Sequence, residues 1–324
     1  MRIRNLLTTL SVLLVGTCLA AAAAADDQSS MPAPPAAAET VAAAQGDAAG
    51  DSDAVAEEST TPSGEATEAL PSYLHDRGPG IPTSMFGTYI RKGELLVYPF
   101  MEYYRDEDAE YKPADFGYGT EDIDYTGRFR AEEYLLFLGY GLSDKVAIEL
   151  EIAGISATQD KSPDDPTEFP ESVHQSGLGD VQAQLDWYFR PETEDRPGWF
   201  SFAEVVFPHD EEEPLRGSYF EVKIGAGITR GFTWGTLSGR LAAAYSDEEE
   251  SLEAGEFAIE YLKRVSPSWR LYAGIEGESD EIELIAEAQW HFAPWGFVKL
   301  NSAFGVTAKA TDWAPEIGVV FSFR

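Results

Sequence analysis

The sequence predicts an all-β chain: an antiparallel transmembrane β-barrel of about twelve strands, preceded by a disordered acidic tail. Three observations carry this expectation. One strand phase persists from Val146 to the last residues, with Val146, Ile148, Leu150 and Ile152 alternating against Ala147, Glu149 and Glu151. Successive strand side chains face opposite sides of a sheet, so the pattern builds one apolar and one charged face. Short connections alternate with longer, acid-rich ones, and aromatic residues gather near one end of the apolar phase, as in barrels with lipid outside and a polar lumen inside.

At the N-terminus, Arg2 and Arg4 precede an apolar run over 6–19 and small residues over 20–25. This is the order of a secretory signal peptide, and the run falls short of the ~20 residues of a membrane helix. Cys18 is the only cysteine; a lipid attachment there is disfavoured because Thr17 replaces the expected Gly, Ala or Ser. Loss of residues 1–25 leaves a chain with no disulfide or thiolate metal site. Residues 26–75 form the predicted tail, with ten acids and no Lys or Arg between 26 and 70. So few apolar residues cannot offset the entropy of ordering. Of the net charge of -34, -26 remains beyond residue 70, which argues against nucleic acid as a partner. Residues 76–92 are transitional: the run Gly78, Pro79, Gly80, Ile81, Pro82 is turn chemistry, and Met85, Phe86, Tyr89 and Ile90 suit a plug packed in a barrel mouth.

The barrel is expected over 93–324, with strands at 94–105, 128–141, 145–156, 179–190, 199–208, 218–230, 233–246, 253–265, 269–278, 281–292, 296–308 and 313–323. Tight connections at 142–144, 231–232, 266–268 and 293–295 alternate with longer ones at 106–127, 157–177, 209–217 and 247–252. Outer-membrane barrels have short periplasmic turns and longer extracellular loops, so both termini are expected in the periplasm. The connection at 191–198 is longer than this scheme wants. Trp187, Phe189, Trp199, Trp234, Trp269, Trp290 and Trp295 lie near the tight turns, where an interfacial girdle would sit. Phe323 is penultimate, whereas barrels usually present the assembly machinery with a terminal aromatic.

The run Ser176, Gly177, Leu178, Gly179, Asp180, Val181 leading to Trp187, and the hairpin from Leu138 to Glu149, resemble the outer-membrane transporter family associated with the MetA pathway of phenol degradation. That resemblance implies a barrel and the passage of small organic molecules, and supplies no catalytic residues.

The inward phase carries Glu149, Glu151, Asp180, Asp186, Glu221, Glu256, Glu260, Glu283 and Glu287, together with Lys223, Arg240, Arg270 and Lys299. Two readings stand side by side: a lumen braced by Glu–Arg and Glu–Lys pairs, or a pore whose excess acidity selects cations. The expected partners are outer-membrane lipid, the barrel-assembly machinery during insertion, and small solutes; the tail's partner is unknown. No cofactor or metal is expected, since the acid runs at 164–165, 210–213 and 247–250 match no calcium loop. An enzyme is not expected either. A Ser-His-Asp arrangement across loops around Ser172, His174, Ser176 and His209 lacks any nucleophile elbow. Two further alternatives are a structural or adhesive barrel with a closed lumen and a soluble secreted β-sandwich.

Overall fold

The computed structural model describes residues 70–120, 123–209, 214–215, 219–246, 252–278 and 281–324. The signal peptide, Cys18, nearly all of the predicted tail and the acid runs at 210–213 and 247–250 lie outside the described residues.

A 3-10 turn at Ser72–Leu74 leads into a small hairpin of β1 (Ile81–Pro82) and β2 (Tyr89–Ile90). Twelve longer strands follow: β3 (Leu95–Tyr111), β4 (Tyr125–Gly141), β5 (Val146–Asp160), β6 (Ser172–Arg190), β7 (Gly198–Phe207), β8 (Glu221–Phe232), β9 (Gly235–Ser246), β10 (Leu252–Ser266), β11 (Trp269–Glu278), β12 (Glu281–Ala293), β13 (Gly296–Gly305) and β14 (Trp313–Phe323). Each pairs antiparallel with its sequence neighbours, and β14 returns to pair with β3 from Trp313–Arg105 to Phe323–Leu95. The result is a closed barrel, which leaves no sheet edge unpaired. This displaces the β-sandwich alternative. No helix among the described residues is long and apolar enough to cross a membrane.

The predicted phase holds all round the wall. Ile148, Ile224, Leu241, Ile259, Leu284, Leu300 and Ile317 are exposed on the outer face, Leu241 by 69%. On the inner face Glu149, Asp186, Glu287, Gln289 and Lys299 are buried. A protein bathed only by water rarely exposes so continuous an apolar surface. Trp187, Phe189, Trp199, Trp234, Trp269, Trp290 and Trp295 are all exposed, and successive rings touch, as in Trp269–Trp290 at 6.5 Å and Phe292–Trp295 at 5.4 Å.

The largest departure from the sequence expectation is at the long-loop end. Strands β3 to β6 run well past their predicted limits, so Ser172, His174 and Ser176 are strand residues, not loop residues. The connections above them are also built, not merely solvated. Phe169 is buried and packs against Tyr111 (4.9 Å, tilted) and edge-on against Phe116 (5.2 Å) and Tyr118 (5.5 Å). Asp165, expected on an open acidic loop, is itself buried and accepts hydrogen bonds from the Tyr111 hydroxyl (2.9 Å) and the Thr167 N–H (2.7 Å). At the short-turn end, the long connection after β6 is tied by a Thr193–Arg196 bridge.

Candidate pore and lumenal site

Residues 71–92 pack inside the short-turn half of the barrel. Ile81 and Ile90 are buried in one cluster with Tyr98, Phe137, Phe202 and Val320, inward-facing residues of β3, β4, β7 and β14. The wall makes room for this segment with glycine. A Cβ on Gly231 would lie 1.8 Å from the Tyr73 carbonyl oxygen, and one on Gly141 would lie 2.1 Å from the Arg91 carbonyl oxygen. No other residue permits such an approach of two backbones.

Two polar anchors hold the segment at the short-turn end. Arg77 and Glu192 form an ion pair at 2.8 Å with both side chains 1% exposed. Burial penalises the guanidinium, but Tyr89, Tyr188 and Glu192 outweigh that penalty and raise the Arg77 pKa above the usual arginine value. Glu192 also accepts from the Gly231 N–H at 2.8 Å. Asp76 accepts from the Arg264 N–H (3.0 Å) and faces the Lys263 ammonium at 3.3 Å.

A third anchor lies at the hairpin tip. Ser84 donates its N–H to Glu149 Oε2 at 3.1 Å, and its hydroxyl donates to the same oxygen. Arg240 donates to the Ser84 carbonyl oxygen (3.4 Å) and lies 4.7 Å from the centre of the Phe86 ring, which packs on Tyr272. Gln289 donates to the Gly87 carbonyl oxygen at 3.4 Å.

Beyond the tip, toward the long loops, a cavity of about 780 Å³ opens, with Ser84, Met85 and Phe86 on its wall. Of the sequence-predicted lumen residues it gathers Glu149, Glu151, Asp180, Glu221, Lys223, Arg240, Glu256 and Glu283. Its cations are shared among carboxylates. Lys223 faces Glu221 (3.2 Å), Glu278 (3.7 Å) and Glu204 (4.0 Å), and Arg240 faces Glu256 (2.5 Å) and Glu276 (3.7 Å). Lys299, buried on an adjoining cavity of about 420 Å³, holds Glu287 (3.1 Å) and Glu316 (3.7 Å). Glu316 also accepts from the Tyr98 hydroxyl. These pairs cross-link the lumen wall, but three cations cannot neutralise this lining. Glu151 and Glu133 face the space with no ion pair among the described residues.

Four predicted residues line neither acidic cavity: Glu260, Glu287, which Lys299 holds, Asp186 and Arg270. Asp186 accepts from Gln184 (2.8 Å) and lies off the cavity wall. Arg270 lies on the other side of the hairpin, toward the short turns. Sequence reasoning missed Glu102, Glu133, Glu204 and Glu278 as lining residues. Glu133 was legible in the β4 phase, but the adjoining Glu132 blurs the alternation there. It also missed the anchors Arg77, Ser84 and Glu192, which no strand pattern marks.

Of the histidines considered for hydrolysis, His174 meets Thr158 across the strand pair (3.1 Å), and the backbone N–H of His209 donates to Asp180 (3.0 Å). Among the described residues one carboxylate trio, Asp106, Asp108 and Asp312, converges at the long-loop end. The N–H groups of Asp108 and Glu107 already occupy Asp106 and Asp312.

No protein-family model matches the chain, and no curated protein does. Among solved structures, an outer membrane channel from Pseudomonas putida F1 superposes with a TM-score of 0.54 and 12% identity, over 75% of this chain and 100% of that chain. The chain has the fold of an outer membrane channel. The Ralstonia pickettii toluene transporter TbuX is more distant, with a TM-score of 0.39 and 10% identity over 72% of this chain and 90% of that one.

Proposed function

We propose that the protein is an outer-membrane channel for small solutes, selective for cations, and that the hairpin at residues 81–90 governs its opening. The acidic cavity carries this reading. Its carboxylates outnumber Lys223, Arg240 and Lys299 several-fold, and charge lining a narrow path sets which ions it admits. The apolar outer belt and its aromatic girdle support insertion in lipid. The signal-like residues 1–25 support export to the outer membrane, with insertion by the barrel-assembly machinery. The resemblance around Gly179, Asp180 and Val181 supports small organic molecules as further cargo.

In this reading solutes collect in the acidic cavity and cross the short-turn half when the hairpin tip leaves its anchors on Glu149 and Arg240. The test is conductance of the refolded protein in a planar bilayer, with the reversal potential taken under a salt gradient. Discrete steps with a cation-selective reversal potential are expected. A stably inserted barrel that never conducts, even with the hairpin deleted, would replace the channel by a structural barrel.

A further inference from the structure

The cavity on the short-turn side of the hairpin has the opposite charge. It measures about 510 Å³ and is lined by Arg77, Arg91, Arg264, Arg270 and His291, with aromatic surface from Tyr89, Phe292, Trp295 and Phe297. In a chain of net charge -34, these cations are gathered where few carboxylates reach them. Arg77 is taken up by Glu192 and Arg91 by Glu94 (2.8 Å each). Arg264 spends its guanidinium on the carbonyl oxygens of Ser266 and Pro267, at 3.3 Å each. Arg270 has neither an ion pair nor a hydrogen bond to any described residue, and its charged neighbours are Arg264, Arg91 and Asp76. His291 lies 4.6 Å from Phe297, ring on ring, and meets Gln289 rather than an acid. Asp76 is the other carboxylate nearby, and it is occupied by Lys263 and the Arg264 N–H.

A partly buried guanidinium without a partner costs free energy unless something supplies the anion. A guanidinium fork matches a planar carboxylate through two parallel hydrogen bonds, and the aromatic wall beside it offers apolar contact. We infer that this cavity is a binding site for a small organic anion, a carboxylate on an aromatic or apolar body, held by Arg270 with Arg264 at its side. The site is independent of the cation selectivity proposed above, since the hairpin separates the two cavities.

The experiment is isothermal titration of the full chain, purified in detergent, with benzoate, with benzyl alcohol as the uncharged ring, and with inorganic phosphate as the anion without a ring. Saturable benzoate binding is expected, about tenfold weaker in R270Q, as befits the loss of a charged hydrogen-bonding partner. R264Q is expected to weaken it less, and serves if R270Q fails to fold. Benzyl alcohol and phosphate are expected to bind at least about tenfold more weakly than benzoate. E151Q, in the acidic cavity, is expected to leave benzoate binding unchanged, so failure here is distinguishable from failure of the channel reading. No benzoate binding by the folded protein would overturn the inference, as would unchanged binding in both arginine variants. Phosphate or benzyl alcohol binding as tightly as benzoate would overturn the ligand class.

Discussion

Ser84 presents its backbone N–H to both carboxylate oxygens of Glu149, at 3.3 and 3.1 Å, and its hydroxyl to one of them, joining the tip of the lumenal hairpin to the wall of β5. Glu149 is thus a fastening for the hairpin as well as a charge facing the cavity. Glutamine at this position keeps the size and loses the charge. E149Q is expected to raise the open probability of the channel about tenfold, as one charge-assisted hydrogen bond would. Single-channel recordings check this; closed times equal to wild type would remove Glu149 from the fastening.

Glu151 and Glu133 have no such duty. The double variant E151Q/E133Q is expected to shift the reversal potential toward zero under a salt gradient while leaving open times unchanged. An unaltered reversal potential would mean that selectivity is set elsewhere in the lumen.

The Arg77–Glu192 pair is nearly fully buried. Removing one member strands the other charge, at a cost of about 3–5 kcal/mol. E192Q is therefore expected to release the N-terminal segment, seen as new protease cleavage between residues 71 and 92. R77M/E192L is expected to restore much of the protection, because replacing both charges by apolar groups avoids the stranded charge. Equal cleavage of E192Q and wild type would count against this anchor.

On the outer face, Ile259 lies near the middle of β10 and is 58% exposed. I259R is expected to destabilise the barrel in lipid by about 2–4 kcal/mol, the cost of a charge near a bilayer midplane. Urea titration of folding into vesicles measures it. A change below about 0.5 kcal/mol would mean that this face does not meet hydrocarbon.

Asp165 provides a pH handle on the long-loop cap. Burial disfavours its charge, but the hydrogen bonds from Thr167 and Tyr111 prevail and lower its pKa. A lowered folded-state pKa stabilises the cap above the unfolded value of about 3.9, and this contribution is lost as pH falls through the folded value. Amide protection factors over residues 161–171, corrected for the intrinsic exchange rate, should therefore fall below about pH 4 in wild type. In D165N they should already be low at neutral pH. A cap whose exchange is unaffected by D165N would not depend on this carboxylate.

Much of the wall was legible because a two-sided sheet writes its geometry into every second residue. The limits of β11 and β14 coincide with those read from the alternation, and the other strands from β7 onward fall within three residues of it. The reading stopped short on β3 because Arg105, Asp106, Glu107 and Asp108 are polar on both faces, so no alternation marks a strand that projects beyond the apolar belt. Eight of the charged residues read from the strand phase lie on the larger acidic cavity, but the phase does not give their division of labour. The duties of Glu149 and Glu192 arise from contacts with a segment 65 and 115 residues away. The same limit hid the isolation of Arg270: a missing partner can be recognised only when every candidate has been located in space.

The seam between β3 and β14 brings together groups as far apart in the chain as Tyr98 and Glu316, separated by 218 residues. The hairpin at residues 81–90 immediately precedes β3, so it belongs to the first part of the barrel made, and the seam to the last. A wall with its first and last strands unjoined is open along one side, and the hairpin can be laid against β4, β5 and β6 without threading through a ring. Loop closure of this length is slow relative to local strand pairing. A barrel whose β14 zips onto β3 last would enclose a guest already in place.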